Sequence, residues 1–149
     1  VARTYRKAID DYLKSPELYR ENMEWYKSEI GKCTYREFTT GFYFHKPDAM
    51  TQIYDSNTYV KNYTYLGTVE AVREDGLVRI EQKNKFSVGE TVEIMKPDGR
   101  NLEKEVAAIC DEEGNPVESA PHPKQVLYVD LGADAECGDI IRRSEMEAD

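Results

Sequence analysis

The chain has 149 residues, 40% hydrophobic and 33% charged, which suits one ordinary domain or a small domain with an extension. No apolar run approaches the ~20 residues of a membrane span, and no apolar stretch follows the first basic residues as in a signal peptide. The net charge of −9 is uneven: there are ten Lys and Arg against nine Asp and Glu up to Tyr65, and ten against twenty from Leu66 onward. Because Lys and Arg on phosphates supply most non-specific affinity for nucleic acid, the second half is a poor nucleic-acid binder on its own.

Two helices are predicted within residues 1–31. Apolar residues at helical spacing predict the first from Ala2 to Leu13, and Ser15-Pro16-Glu17 signals the start of a second that runs to about Ile30. Each helix has an apolar stripe, and two short helices cannot bury both stripes, so we expect them to pack on something else. The stripes consist of Tyr5, Ala8, Ile9, Tyr12 and Leu13, and of Tyr19, Met23, Tyr26 and Ile30.

An aromatic-rich connecting arm is predicted over residues 32–65. It holds nine of the fifteen Phe and Tyr residues, without a helical period or a long alternation. The favoured interpretation is an arm that wraps a neighbouring surface with its rings buried. The alternative is that the rings stack on nucleobases beside basic side chains. The candidate interface or binding residues are Arg36, Phe38, Phe42, Phe44, Lys46 and Lys61, together with His122 from a later Pro-flanked loop.

From residue 66 the pattern changes to short alternating segments separated by Gly- and Pro-containing turns. This pattern predicts a mainly β chain with a helical N-terminal arm, in which residues 66–143 form a small closed barrel of six or seven strands. Closure into a barrel would leave so small a sheet without exposed edge strands. Residues 144–149 are expected to form a flexible tail.

No arrangement of residues indicates catalytic chemistry. Cys33, Cys110 and Cys137 are widely spaced and form no metal-binding motif, so we expect three reduced, mostly buried thiols in a cytoplasmic protein. His45 and His122 are expected to pack or cap loops. No Gly-flanked nucleophile and no phosphate-cradling glycine loop is present. We therefore expect no catalytic residue, no cofactor and no metal site in this chain.

Several long strings, in order along the chain, resemble the carboxy-terminal region of the U32 (collagenase-like) peptidase family. The strings that resemble its arm are RKAIDDY from Arg6, REFTTGFYF from Arg36 and QIY from Gln52. The strings that resemble its terminal barrel are YLG from Tyr65, IEQKNKFSVGE from Ile80, APHP from Ala120 and GDIIR from Gly138.

The resemblance implies that a catalytic domain, with the family's Cys-, Ser- and Gly-rich signature, lies upstream of this chain. The start at Val1 without Met is also expected for part of a longer protein. Some family members are called proteases, and others take part in hydroxylating tRNA or ribosomal RNA. The terminal barrel is expected to be similar to domain 2 of translation elongation factors, which is a docking fold.

Two functions of different class follow. In the first, the chain is a non-catalytic accessory module that docks on its own upstream catalytic domain or orders a homo-oligomer. In the second, it presents the parent's substrate, a polypeptide or a structured RNA, to that domain. The acidic second half favours the first, and an RNA substrate would contact the arm around Arg36, Lys46 and Lys61. No membrane partner is expected.

Overall fold

The structure, a computed structural model, describes residues 1–36, 38–48, 59–122 and 124–145. Within these residues, three helices precede nine strands. The helices are α1 (Ala2–Lys14), α2 (Pro16–Glu21) and α3 (Met23–Gly31). The strands are β1 (Tyr63–Val72), β2 (Val78–Gln82), β3 (Phe86–Ser87), β4 (Thr91–Met95), β5 (Asn101–Glu105), β6 (Ala108–Cys110), β7 (Ser119–Ala120), β8 (Val126–Asp130) and β9 (Ile140–Ser144).

The helical region begins as predicted, but the second predicted helix is divided in two. Ser15 caps α2, since its Oγ accepts hydrogen bonds from the backbone N–H groups of Glu17 (3.1 Å) and Leu18 (3.4 Å). The break falls at Asn22, whose side-chain amide donates to Asp11 Oδ2 of α1 at 3.1 Å. A short polar side chain that bonds elsewhere competes with the regular helix, which explains the division.

Seven strands form one curled antiparallel sheet in the order β5-β4-β9-β1-β2-β8-β6, and β3 pairs separately with β7. The prediction of a closed barrel is therefore wrong, because the sheet is a half-barrel with β5 and β6 at its two edges. Only Val106 and Ala107 separate these edge strands in the chain. The two strands follow one another almost end to end, and they form no ladder with each other.

The core lies inside the curl and is formed by alternate residues of the strands, as period-two burial requires. Its largest fully buried side chains include Leu66, Ile80, Phe86, Ile94, Leu127 and Ile141. The central strand β1 has two irregularities, which let it pair with both β2 and β9 as it bends. Gly67 lies in this bend, where a Cβ atom would stand 2.6 Å from Ile80 Cγ2 and 2.7 Å from the carbonyl oxygen of Glu81.

A buried cluster of charges joins the helices to the sheet. The Glu29 carboxylate of α3 forms ion pairs with Arg3 of α1, Lys32 (2.8 Å) and Arg142 of β9 (3.1 Å). Arg142 also pairs with Glu93 of β4 at 2.9 Å. These side chains are largely withdrawn from solvent, so each depends on the others for its charge to be compensated.

The charge cluster also fixes the protonation state of Glu29. Burial raises the pKa of its carboxyl, but a hydrogen bond from Lys32 and the charge and hydrogen bonds of Arg142 outweigh that effect and hold the pKa below its usual value. Arg3 continues the connection by donating to the carbonyl oxygen of Lys96 at 2.8 Å and to Asn101 Oδ1 at 2.9 Å. The helices are therefore tied to the β4–β5 turn as well as to β9.

Candidate interaction surfaces

The predicted arm contains an aromatic loop, residues 36–59, of which the structure describes residues 36, 38–48 and 59. Its base is closed by two backbone hydrogen bonds, from Tyr35 N to Val60 O (3.1 Å) and from Val60 N to Tyr35 O (2.7 Å). Next to this bridge, the guanidinium of Arg36 lies 4.8 Å from the centre of the Tyr59 ring. The rings of Tyr35 and Phe38 stack with their centres 4.5 Å apart. The two ends of the loop are thus joined by backbone and ring contacts.

A tight turn in the loop, which we call its tip, carries three consecutive aromatic rings. The Tyr43 N–H donates to the carbonyl oxygen of Thr40 at 3.0 Å, and Gly41 supplies the positive φ of 51°. Phe42, Tyr43 and Phe44 are 81%, 84% and 74% exposed. The Tyr43 and Phe44 rings meet edge to face with their centres 4.9 Å apart.

The favoured interpretation of the arm, rings buried against a neighbouring surface, does not hold within this chain. Phe38, Phe42 and Phe44 all point largely into solvent. The sheet buries its own core side chains in the curl. Tyr54 and the string QIY from Gln52 lie outside the described residues.

The predicted interface residues fall into three places. Arg36 and Phe38 lie at the base of the aromatic loop, and Phe42, Phe44 and Lys46 lie on or beside its tip. Lys61 follows the base and lines a shallow pocket at the end of the sheet with Thr64, Asn84, Lys85, Arg143 and Glu145. His122 is exposed on the connection between β7 and β8, and no hydrogen bond or ion pair joins its side chain to the described part of the loop.

A second surface is an apolar groove of about 530 Å³ on the helices, which we call the helical groove. It is formed by the two predicted stripes, and Tyr5, Ile9, Tyr12 and Leu13 of α1 are between 52% and 75% exposed in it. On its other wall the Tyr19 ring contacts both Tyr12 and Tyr26, with 5.7 Å between centres in each case. As the sequence predicts, the two stripes are not buried by each other.

The floor of the helical groove is held by a buried polar pair. The Tyr26 hydroxyl donates to Asp11 Oδ2 at 2.7 Å, and Lys7 Nζ lies 3.0 Å from the same carboxylate oxygen. Burial, with the hydrogen bond to Asp11, raises the pKa of Tyr26 to about 12. Tyr26 is therefore a neutral donor, and its role is to lock α3 against α1.

The thiols and imidazoles are dispersed among the elements. Cys33 and Cys110 are half-buried and Cys137 is exposed, so the expectation of mostly buried thiols is wrong. Cys33 Sγ donates to the Ile30 carbonyl at 3.0 Å. Among the described residues, no group of three His, Cys, Asp or Glu side chains is placed to hold a metal ion. None of the helices in the described ranges is long and apolar enough to cross a membrane.

The residues that hold the structure around these surfaces were not predicted from the sequence. Two of them lie within the string GDIIR. Asp139 pairs with Lys96 at 2.7 Å, and Arg142 pairs with both Glu29 and Glu93. Arg142 and Glu29 are 113 positions apart, and no local spacing reveals such a pair. The only signal was the position of these charges next to strongly β-forming residues, where a buried charge must find a partner.

The fold defines a small β-domain with a helical N-terminal extension. The family model for the peptidase family U32 C-terminal domain matches residues 61–142, which is more than half of the chain. The chain therefore belongs to this family, and the resemblance seen in the sequence is confirmed. The structure is also similar to the crystallised C-terminal domain of a U32 peptidase-family protein of Geobacillus thermoleovorans, at 26% identity and a TM-score of 0.50 over 54% of this chain and 99% of that one.

Curated relatives connect the family to RNA modification. The chain is 33% identical over 132 residues to tRNA hydroxylation protein P1 of Bacillus subtilis, a match that covers 88% of this chain and 31% of the relative. It is 26% identical over 136 residues to tRNA hydroxylation protein P of Escherichia coli, covering 91% of this chain and 29% of that protein. The chain thus spans about a third of the length of these relatives.

Proposed function

We propose that this chain is a non-catalytic accessory module of a U32-family protein that takes part in tRNA hydroxylation. The names of the curated relatives support the reaction class, and they lend no support to the protease activity that the family name implies. A tRNA substrate favours a cytoplasmic location. The polar residues of the string GDIIR favour a non-catalytic role, because Asp139 and Arg142 are engaged in buried ion pairs.

The module docks on the remainder of its own polypeptide through the helical groove. The observation that carries this proposal is the groove itself, in which Tyr5, Ile9, Tyr12 and Leu13 are exposed on one face. Full burial of such a side chain is worth about 1.5–3 kcal/mol, so an open groove of this kind favours a partner. Relatives about three times as long supply one within the same chain.

The charge cluster around Glu29 links docking through the helices to the orientation of the sheet. Because Arg3, Lys32 and Arg142 all pair with Glu29, a partner that holds α1 also fixes the orientation of β9 and its neighbours. The helices then act as a rigid adaptor between the rest of the protein and the half-barrel.

The test uses the full-length protein as the only copy in the cell. Ile9→Asp and Leu13→Asp place a charge in the groove and should reduce tRNA hydroxylation, measured by mass spectrometry of tRNA nucleosides, and should loosen the protein in small-angle X-ray scattering. Lys14→Asp, next to the groove on the exposed face, is the matched control. Unchanged hydroxylation and compactness in both groove variants would contradict the docking role.

Two further experiments test whether the chain has a catalytic role and whether the groove joins two copies of the chain. Alanine at His45, His122 or any of the three cysteines should leave hydroxylation intact, and a residue whose loss abolishes it would contradict the non-catalytic assignment. If the isolated chain is a dimer that Leu13→Asp converts to a monomer, the groove joins two copies instead.

A further inference from the structure

We propose that the tip of the aromatic loop binds an unpaired stretch of the RNA substrate, with Phe42, Tyr43 and Phe44 stacking on bases and Arg36 and Lys46 contacting phosphates. This inference rests on the proposed function, since it requires a parent that acts on RNA. It assigns the RNA contact to the loop and not to the sheet or to the helical groove.

The rings of the tip are available for stacking. All three are at least 74% exposed, and they stand on a turn fixed by the Tyr43–Thr40 hydrogen bond. In the edge-to-face pair of Tyr43 and Phe44, the edge of one ring meets a face of the other, so the pair itself covers only one of its four ring faces. A base has a π-face whatever its identity, so such a set binds single-stranded nucleic acid with little sequence preference.

The charges around the tip favour a polyanion. Between Glu37 and Asp48, the ten residues from Phe38 to Pro47 contain no Asp or Glu, and they include His45 and Lys46. Neither Arg36 nor Lys46 forms an ion pair with a carboxylate among the residues that the structure describes. Arg36 instead lies over the Tyr59 ring and donates to its hydroxyl at 3.3 Å, which holds the guanidinium beside the loop base.

The sheet offers no comparable surface. Eight of its ten Lys and Arg residues after position 65 form ion pairs with carboxylates, so their charge is already compensated. These residues are Arg73, Arg79, Lys83, Lys96, Arg100, Lys104, Arg142 and Arg143. With twenty Asp and Glu in the same part of the chain, the sheet repels phosphate and directs an RNA strand toward the loop.

Unpaired RNA fits this surface better than a duplex does. Exposed aromatic rings recognise bases that are splayed out of a stack, whereas an RNA duplex presents mainly its backbone and a shallow minor groove. The tip presents three exposed rings and few basic side chains, so it offers a duplex few phosphate contacts. Loops and ends of a folded RNA supply the unpaired bases that it needs.

The test measures binding of the whole 149-residue chain by fluorescence anisotropy. The probes are a labelled single-stranded oligouridine, an RNA duplex of equal length and an unmodified tRNA transcript. Phe42→Ala and Phe44→Ala should each weaken binding of oligouridine and tRNA by at least about fivefold, and Phe42→Trp should retain it. Lys46→Gln should lower the slope of log K against log salt by about 1. Val72→Ala, an exposed apolar residue at the end of β1, is the control.

Three results would overturn the inference: no RNA binding by the wild-type chain, equal binding by the Phe42→Ala and Phe44→Ala variants, or a preference for the duplex. If the ring variants bind tRNA normally while the groove variants lose hydroxylation, the inference fails and the proposed function stands. If the ring variants lose RNA binding while the groove variants hydroxylate normally, docking through the groove fails and the loop remains the RNA contact.

Discussion

The curled sheet and the aromatic loop contain the same residue types in opposite environments. In the sheet, Phe86 is buried and Lys96 is paired with Asp139, so apolar and charged side chains alike have their partners within the fold. In the loop, Phe42 and Phe44 face solvent and Lys46 is exposed. The difference separates stability from recognition: the side chains of the sheet have their partners inside the fold, and the candidate interaction surfaces lie outside the sheet.

The largest expected effect comes from breaking the charge cluster between the helices and the sheet. Arg142→Met removes one of the two cations that, among the described residues, pair with both Glu29 and Glu93, the other being Lys32. Because two buried carboxylates then lose a partner, the free energy of unfolding should fall by about 3–5 kcal/mol. Urea unfolding followed by circular dichroism measures this loss. Asp10→Asn, which breaks the exposed Arg6–Asp10 pair, is the control and should have a much smaller effect on stability, because solvent screens that pair. Equal small losses would show that the cluster does not join the two regions.

A second variant tests the bend of β1. Gly67→Ala places a methyl group 2.6 Å from Ile80 Cγ2 and 2.7 Å from a backbone oxygen, so the strand must shift and stability should fall by about 1–3 kcal/mol. Gly31→Ala is the matched control, because its nearest atom would be the Tyr35 hydroxyl at 3.9 Å. Denaturant midpoints of the two variants provide the measurement. A Gly67→Ala variant as stable as the wild type would contradict the close packing of β1 on β2.

Local sequence patterns predicted the positions of the strands better than they predicted whether the sheet closes into a barrel. Alternation and turn residues fix where strands such as β2 and β4 lie, since both signals act over a few residues. Closure depends on whether the two edge strands meet, and the short connection at Val106 that keeps β5 and β6 from pairing has no signature in hydrophobicity. The division of the second helix depends on Asn22 reaching Asp11 on another helix, which a single segment does not reveal.

The candidate surfaces were also predicted only as far as local sequence composition allows. The aromatic composition of the arm made Phe38, Phe42 and Phe44 candidates for an interface, because an unusual density of one residue type is visible in a sequence. Their exposure was not predicted, since burial depends on whether the sheet presents a complementary groove. The partners of Arg142 were missed for the related reason that its ion pairs cross most of the chain.

Acid should weaken the attachment of the helices to one another and to the sheet. The folded-state pKa of Glu29 lies below its unfolded value of ~4.3, so its contribution is fully present above that pH and is lost as the pH falls through the folded pKa. The pKa of Asp11 is also lowered: burial raises it, but hydrogen bonds from Tyr26, Lys7 and Asn22 outweigh that effect. Urea unfolding at about pH 7 and about pH 3 measures the loss, and Glu29→Gln should make it smaller. An unchanged pH dependence in that variant would contradict the role of Glu29.

The smallest expected effect on stability is at Phe42 and Phe44. It tests the comparison of loop and sheet most directly, because the same Phe→Ala change is made in both regions. Phe42→Ala and Phe44→Ala remove rings that contact little else in the described structure, so the free energy of unfolding should change by less than about 0.5 kcal/mol. Phe86→Ala removes a ring that is 2% exposed and should cost about 3–5 kcal/mol, provided that the variant still folds. Thermal and urea unfolding of the three variants give the measurement. A loss of several kcal/mol at Phe42 or Phe44 would mean that the loop folds back onto the protein in solution, and the rings would then be structural and unavailable to RNA.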